Sequence, residues 1–311
     1  MAILRVNIGP EGAEIHGRGR PAGSALARAA RQSSGPIIVM VHGWNFEPGH
    51  SRHCPHRHIF GLGDTGVTSW PEGLGFDASA QSTGLCVAIG WHARCGLREA
   101  YCRAGEAGRM LASVIASLRL GSGGRPVHAI GHSLGVRVIL AALPWLDAGD
   151  MGRIVALAGA EWRKTALEAL ATPAGRQAEL INVTWRANAA FDLIFARALR
   201  HARPKTTQGL GRVDVGPDTG MGAGIAGGLG WAQNRVDLHL DAPGLQALLA
   251  ARGMGLTLRR RALCHWAGYA NPGAMALHHE ILRHPEEWPL SLLATRSPSP
   301  KMPGLGLLHP A

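Results

Sequence analysis

The chain has 311 residues and a formal net charge of +11, from 32 lysines and arginines against 21 aspartates and glutamates. The excess is arginine spread along the whole chain, lysine occurs only at Lys164, Lys205 and Lys301, and the aromatic interleaving expected of a nucleic-acid platform is missing; nucleic acid and anionic membrane surfaces are therefore discounted as partners. The five cysteines show no disulfide-framework spacing, no apolar run approaches the ~18 residues of a membrane helix, and the N-terminus has no signal-like apolar core. A cytoplasmic protein without membrane insertion is expected. Residues 1–8 read as a first strand, and residues 25–32 have helix-forming composition. Ile37-Ile38-Val39-Met40-Val41 is a buried strand by length and β-branching, and it ends in His42-Gly43-Trp44-Asn45. A long, polar, histidine-rich loop runs from there to about Gly75. Residues 85–91 form the next strand, and residues 97–120 a helix closed by Gly121-Ser122-Gly123-Gly124. The apolar run from Val127 then breaks at Gly131-His132-Ser133-Leu134-Gly135 and resumes as a helix that Pro144 ends. Further strands are predicted over 153–159 and 180–185, with a short helix over 165–171 between them and a final helix over 274–283. Strands alternating with helices, and apolar on both faces, indicate an α/β fold with a mostly parallel sheet covered on both sides. A single domain is expected over 1–296, with insert loops at 46–75 and 205–232; the Pro/Ser/Gly-rich tail 297–311 reads as disordered.

A strand, a sharp turn with serine at its apex and a helix form the geometry of an exposed nucleophile. Gly131 and Gly135 let strand and helix approach closely there, and Leu134 presents its N–H to whatever Ser133 attacks. A serine hydroxyl is a poor nucleophile near neutral pH and needs a histidine base held by an acid. In a doubly wound sheet both belong on loops at the carboxyl ends of strands. Asp192, which opens a helix after the strand at 180–185, is the expected acid. Glu161, after the preceding strand, is the reserve, and Asp241 is weaker because it can cap a helix beginning at Pro243. His265 is the expected base: it follows a segment ending at Leu263 and precedes the final helix, whereas His278, His279 and His284 read as surface or packing residues. Gly222-Ala223-Gly224-Ile225-Ala226-Gly227 formally matches a dinucleotide fingerprint, but no strand precedes it. Cys54, His56 and His58 offer metal-ligand chemistry at a spacing that fits no established zinc pattern, so no metal is expected. That loop, with Ser69-Trp70-Pro71, is expected to cover or shape the cleft.

Together these residues resemble the α/β-hydrolase superfamily of serine esterases and lipases. The resemblance rests on His42-Gly43-Trp44, on Gly131-His132-Ser133-Leu134-Gly135, and on the chain order Ser133, Asp192, His265; it spans about residues 37–283. It implies a nucleophile elbow at Ser133, a triad with Asp192 and His265, an oxyanion hole of the Trp44 and Leu134 backbone N–H groups, and a structural role for His42. The implied activity is hydrolysis of a small-molecule carboxylic ester, or a thioester or amide, through an acyl-enzyme and without a cofactor. Two other readings compete: a catalytically silent scaffold that binds a ligand or protein, and a metal-binding protein using the 50–58 loop.

Overall fold

In the computed structural model, which describes residues 3–64, 66–76, 83–199, 225, 228–256 and 264–297, the apolar runs are strands of one sheet. In chain order these are β1 (Ile3–Gly9), β2 (Gly12–Ile15), β3 (Arg20–Pro21), β4 (Ile37–Val41), β5 (Leu85–Trp91), β6 (Val127–His132), β7 (Met151–Leu157), β8 (Glu179–Thr184) and β9 (Arg235–His239). Their spatial order is β3-β2-β1-β5-β4-β6-β7-β8-β9. From β1 to β9 every neighbouring pair is parallel, and only the β1-β2-β3 meander runs antiparallel.

The apolar runs are continuous because both faces of the sheet are covered. Successive side chains on a strand point to opposite sides, so Ile37, Val39 and Val41 enter one core cluster while Ile38 and Met40 enter the other. The helices are α1 (Gly23–Gln32), α2 (Trp70–Gly73), α3 (Leu97–Ser122), α4 (Leu134–Ala142), α5 (Arg163–Leu170), α6 (Pro173–Gln177), α7 (Ala189–Leu199), α8 (Pro243–Ala251), α9 (Ala267–Ala270), α10 (Pro272–Arg283) and α11 (Leu290–Arg296). Buried residues of α1, α3 and α4 pack in the first cluster, and those of α8, α10 and α11 in the second. Among the described residues no helix is long and apolar enough to cross a membrane.

The sheet reverses direction around β4. The chain places β5 on one side of β4 and then crosses to place β6 on the other, so the connections leaving β4 and β6 diverge and open a crevice at their carboxyl ends. The residues at that crevice are His42-Gly43-Trp44 and Ser133.

Several local expectations are corrected. The β2-β3 meander and β9 carry no continuous apolar run; β9 alternates Arg235, Val236, Asp237, Leu238, His239 at the edge of the sheet, a pattern too short and polar to stand out. Asp241 does not cap α8, whose N-cap is Ala242; its Oδ2 accepts the Arg186 N–H at 2.5 Å instead. His56 lies in a 3-10 turn over Pro55–Arg57, inside what the sequence shows only as a polar loop. Its Nε2 meets Asn7 Oδ1 at 2.9 Å and its ring stands 4.1 Å from that of His16, while Cys54 Sγ lies 3.9 Å from His16 Nε2. The 46–75 insert is thus anchored in the fold, with Phe60, Trp70 and Leu74 fully buried in the second cluster. Ser297 is not part of a loose tail: it is buried, and its Oγ accepts the His239 N–H at 2.6 Å. Most of the glycine-rich stretch 209–230, the segment ending at Leu263 and residues 298–311 lie outside the described residues.

Burial of neutral imidazoles sets an acid limit on stability. Burial holds His42, His128 and His278 down to about 4, and His56 down to about 2. Between those values and the unfolded value of 6.5, the unfolded chain binds protons that the folded chain refuses. Their contribution is intact above pH ~6.5 and is lost as pH falls towards ~4. The thermal midpoint is therefore expected to drop steeply from pH 7 to pH 5 in a buffer series; a flat profile across that range would contradict the burial of these rings.

Candidate active site

Ser133 sits between β6 and α4 with φ 53° and ψ −122°. A non-glycine residue in such a conformation costs about 1–3 kcal/mol and persists only where its surroundings hold it. Here the backbone is held on both sides: Ser133 N donates to Leu157 O at 3.0 Å, and Ser133 O accepts from Val136 N and Ala160 N, each at 3.1 Å. The turn needs glycine at Gly135 because a Cβ there would fall 2.3 Å from Val41 O and 2.6 Å from His42 O. That contact presses the start of α4 against the end of β4, which aims the first N–H groups of the helix at the crevice.

The loop after β4 lies directly on this turn. A Cβ on Gly43 would come 2.9 Å from His132 O and 3.0 Å from Ser133 Cβ, so no side chain fits. His42 is fully buried and stacks on Trp91 at 5.6 Å; its Nε2 accepts the Trp91 N–H at 3.0 Å, which leaves Nδ1–H to donate to Gly43 O at 2.8 Å. Burial keeps this ring neutral, as the tautomer requires. Beyond it, Trp44 Nε1 donates to Cys95 O at 2.8 Å and Asn45 N donates to Ala93 O at 3.1 Å. Among the described residues the backbone N–H groups of Trp44 and Leu134 have no acceptor. They are the two donors named in the sequence as an oxyanion hole.

His265 is fixed by five contacts of its loop and its ring. Trp185 Nε1 donates to Cys264 O at 2.6 Å, and Cys264 N donates to Ala187 O at 3.1 Å, clipping the chain to the loop after β8. His132 Nε2 donates to His265 O at 2.8 Å, and Phe191 stacks on the His265 ring at 4.6 Å. The ring itself meets Asn188: Nδ1 lies 2.6 Å from Asn188 Oδ1. A carbonyl oxygen only accepts, so Nδ1 carries the proton and Nε2 is left with its lone pair. Burial lowers the His265 pKa to about 4, so the ring is neutral at ordinary pH. His265 Nε2 and Ser133 Oγ make no hydrogen bond to any described residue.

The expected acids occupy different places. Asp192, in the first turn of α7, stands behind Asn188 and not against the histidine: Asn188 Nδ2 donates to Asp192 Oδ1 at 3.1 Å. Desolvation pushes its carboxyl up to about 7, against the opposing hydrogen bond from Asn188. Glu161 is committed elsewhere. It is 1% exposed, accepts from Tyr101 Oη at 2.6 Å and from Trp162 N at 2.8 Å, and pairs with Arg137 at 2.5 Å beneath α4. The residue that sequence reasoning passed over is Asn188, which is 1% exposed and lies one helical turn before Asp192. An amide four residues from a carboxylate places both groups on one helical face, and that spacing was the available signal.

Known proteins match parts of the chain. A family described as "Protein of unknown function (DUF726)" matches residues 96–158, which run through α3, the Ser133 turn, α4 and β7. No curated protein matches the chain. Among solved structures, the chain is similar to a thermophilic esterase of the planctomycete Thermogutta terrifontis, determined with propionate bound. The similarity has 15% identity and a TM-score of 0.28, over 55% of this chain and 69% of that one.

Proposed function

We propose that the protein is a serine hydrolase that cleaves carboxylic esters through an acyl-enzyme, on an α/β-hydrolase scaffold. The observation that carries this reading is the strained, braced Ser133 turn, tied through its neighbour His132 to the main chain of a neutral histidine, His265, whose Nδ1–H is already engaged by Asn188. In the proposed mechanism His265 Nε2 takes the Ser133 Oγ proton as Oγ bonds to the ester carbonyl carbon. The Trp44 and Leu134 N–H groups stabilise the oxyanion that forms. Collapse expels the alcohol, which receives the proton from His265. Water, deprotonated by the same ring, then attacks the acyl carbon and releases the acid with Ser133 restored. Asn188 holds His265 in the tautomer that leaves Nε2 free. The exposed indoles of Trp44, next to Gly43, and Trp266, next to His265, support an ester with an apolar acyl or alcohol part: they are 46% and 52% exposed.

A fluorophosphonate probe tests the reading, because it reacts only with a serine activated for acyl transfer. We expect stoichiometric labelling of the native protein at Ser133, located by peptide mass, and none after heat denaturation. Native protein that stays unlabelled leaves the scaffold reading in its place.

A further inference from the structure

His132 occupies the position directly before Ser133, and its ring is turned into the protein. It is 6% exposed, and its Nε2 donates to the backbone carbonyl of His265 at 2.8 Å. Its ring centroid stands 4.4 Å from that of His265, and Tyr269 meets it edge-on at 4.9 Å. A Cβ on Gly43 would fall 3.2 Å from its Nδ1. One side chain therefore touches all three parts of the site: the loop with the oxyanion donors, the nucleophile turn from which it projects, and the loop that carries the base. These parts come from residues 42–45, 131–135 and 264–270, and His132 is the point where they meet.

We propose that His132 is a positioning residue that sets the distance between Ser133 and His265 by tying the His265 main chain to the nucleophile turn. This rests on the reading of Ser133 as nucleophile and His265 as base. The other contacts on the base loop act at a remove from the nucleophile: Trp185 and Ala187 hold Cys264 from the β8 side, and His278 Nε2 donates to Gly268 O at 2.8 Å from α10. Only the His132 bond, among the described residues, joins the residue beside Ser133 to the residue bearing the base. Because the acceptor is a carbonyl, Nε2 must stay protonated; desolvation, with the neighbouring His265 as a second contributor, holds the ring well below the usual imidazole range, so it remains neutral with one fixed tautomer. A misplacement of a base by about 1 Å can cost about 10²-fold in rate, which is the scale on which this bond acts.

Glutamine and methionine at position 132 separate positioning from packing, since the two side chains have similar volume and only glutamine carries an amide donor. His132→Gln is expected to keep kcat for a p-nitrophenyl ester within about threefold of wild type. His132→Met is expected to lose about 30-fold in kcat with KM unchanged. A merely structural role would lower both variants alike, and equal rates would overturn the proposal. The second readout needs no turnover: the His265 Nδ1–H resonance, protected in the wild type by Asn188, should persist in the glutamine variant and broaden or shift in the methionine variant. A resonance indifferent to both substitutions also overturns it. If His132→Met does not fold, His132→Phe serves as the variant without a donor. Failure of the hydrolase reading would show separately, as wild-type protein that neither labels nor turns over.

Discussion

Ser133→Ala and His265→Ala are each expected to lower ester turnover by about 10⁴-fold or more while leaving a folded protein. The size follows from the proposed roles: without Oγ no acyl-enzyme would form, and without the ring nothing would remove the Oγ proton. Residual rate would come from the Trp44 and Leu134 N–H groups acting on a water attack. Stability should change little in Ser133→Ala. Ser133 Oγ has no hydrogen-bond partner among the described residues, and the strained backbone is braced by main-chain bonds to Leu157, Val136 and Ala160 that alanine retains. Turnover of a p-nitrophenyl ester and the thermal midpoint of each variant check both halves. The double variant Ser133→Ala/His265→Ala should be no slower than either single one, because the two residues act as a unit. A Ser133→Ala protein that turns over near the wild-type rate would remove Ser133 from the chemistry.

The parts of this architecture legible in the sequence are those written by local physics. The runs at β4 and β5 are apolar throughout, and that at β6 is interrupted only by His128, Gly131 and His132, because helices cover both faces of a parallel sheet, and the serine turn is legible because Gly131 and Gly135 are required where β6 meets α4. What escaped was set by distant contacts. The burial of His56 is decided by Asn7 and His16, more than 35 residues away, so its neighbours in sequence suggest only a polar loop. The choice of Asn188 over Asp192 is of the same kind. Both precede or open α7, and the rule that a histidine base pairs with a carboxylate favours Asp192; yet the β8 loop presents the amide, not the carboxylate, to His265. Glu161 illustrates the complement. A buried carboxylate after β7 has the position of an acid, but Arg137 on α4 claims it.

The arrangement His265–Asn188–Asp192 makes a quantitative claim about which of the two polar residues orients the base. Asn188→Leu removes the acceptor from Nδ1, leaves a buried N–H unpaired and frees the ring to adopt the wrong tautomer; turnover should fall by about 10³-fold. Asp192→Asn leaves the Asn188 carbonyl in place and removes only the carboxylate that holds its amide, so a loss of about tenfold is expected. Equal losses in the two variants would mean that Asp192 acts on His265 directly, and a dead Glu161→Gln beside an active Asn188→Leu would move the acid role to Glu161. The pH dependence follows with its sign. His265 must be neutral to act as base, so the acid limb of kcat/KM should lie near pH 4, the value to which burial lowers it. Asn188→Asp sets a negative charge against Nδ1–H, which favours the imidazolium, and should move that limb up by at least about one unit. Stability runs the other way at Asp192. Its carboxyl rises from the usual 3.8 to about 7 on folding, so between those values the unfolded chain releases a proton that the folded chain keeps, and stability falls as pH rises through that window. Asp192→Asn should therefore be the more stable protein at pH 8, with its advantage gone near pH 3.5, and yet the slower enzyme. Such opposite movement is expected of a residue whose half-buried carboxylate is kept for positioning at a cost to the fold.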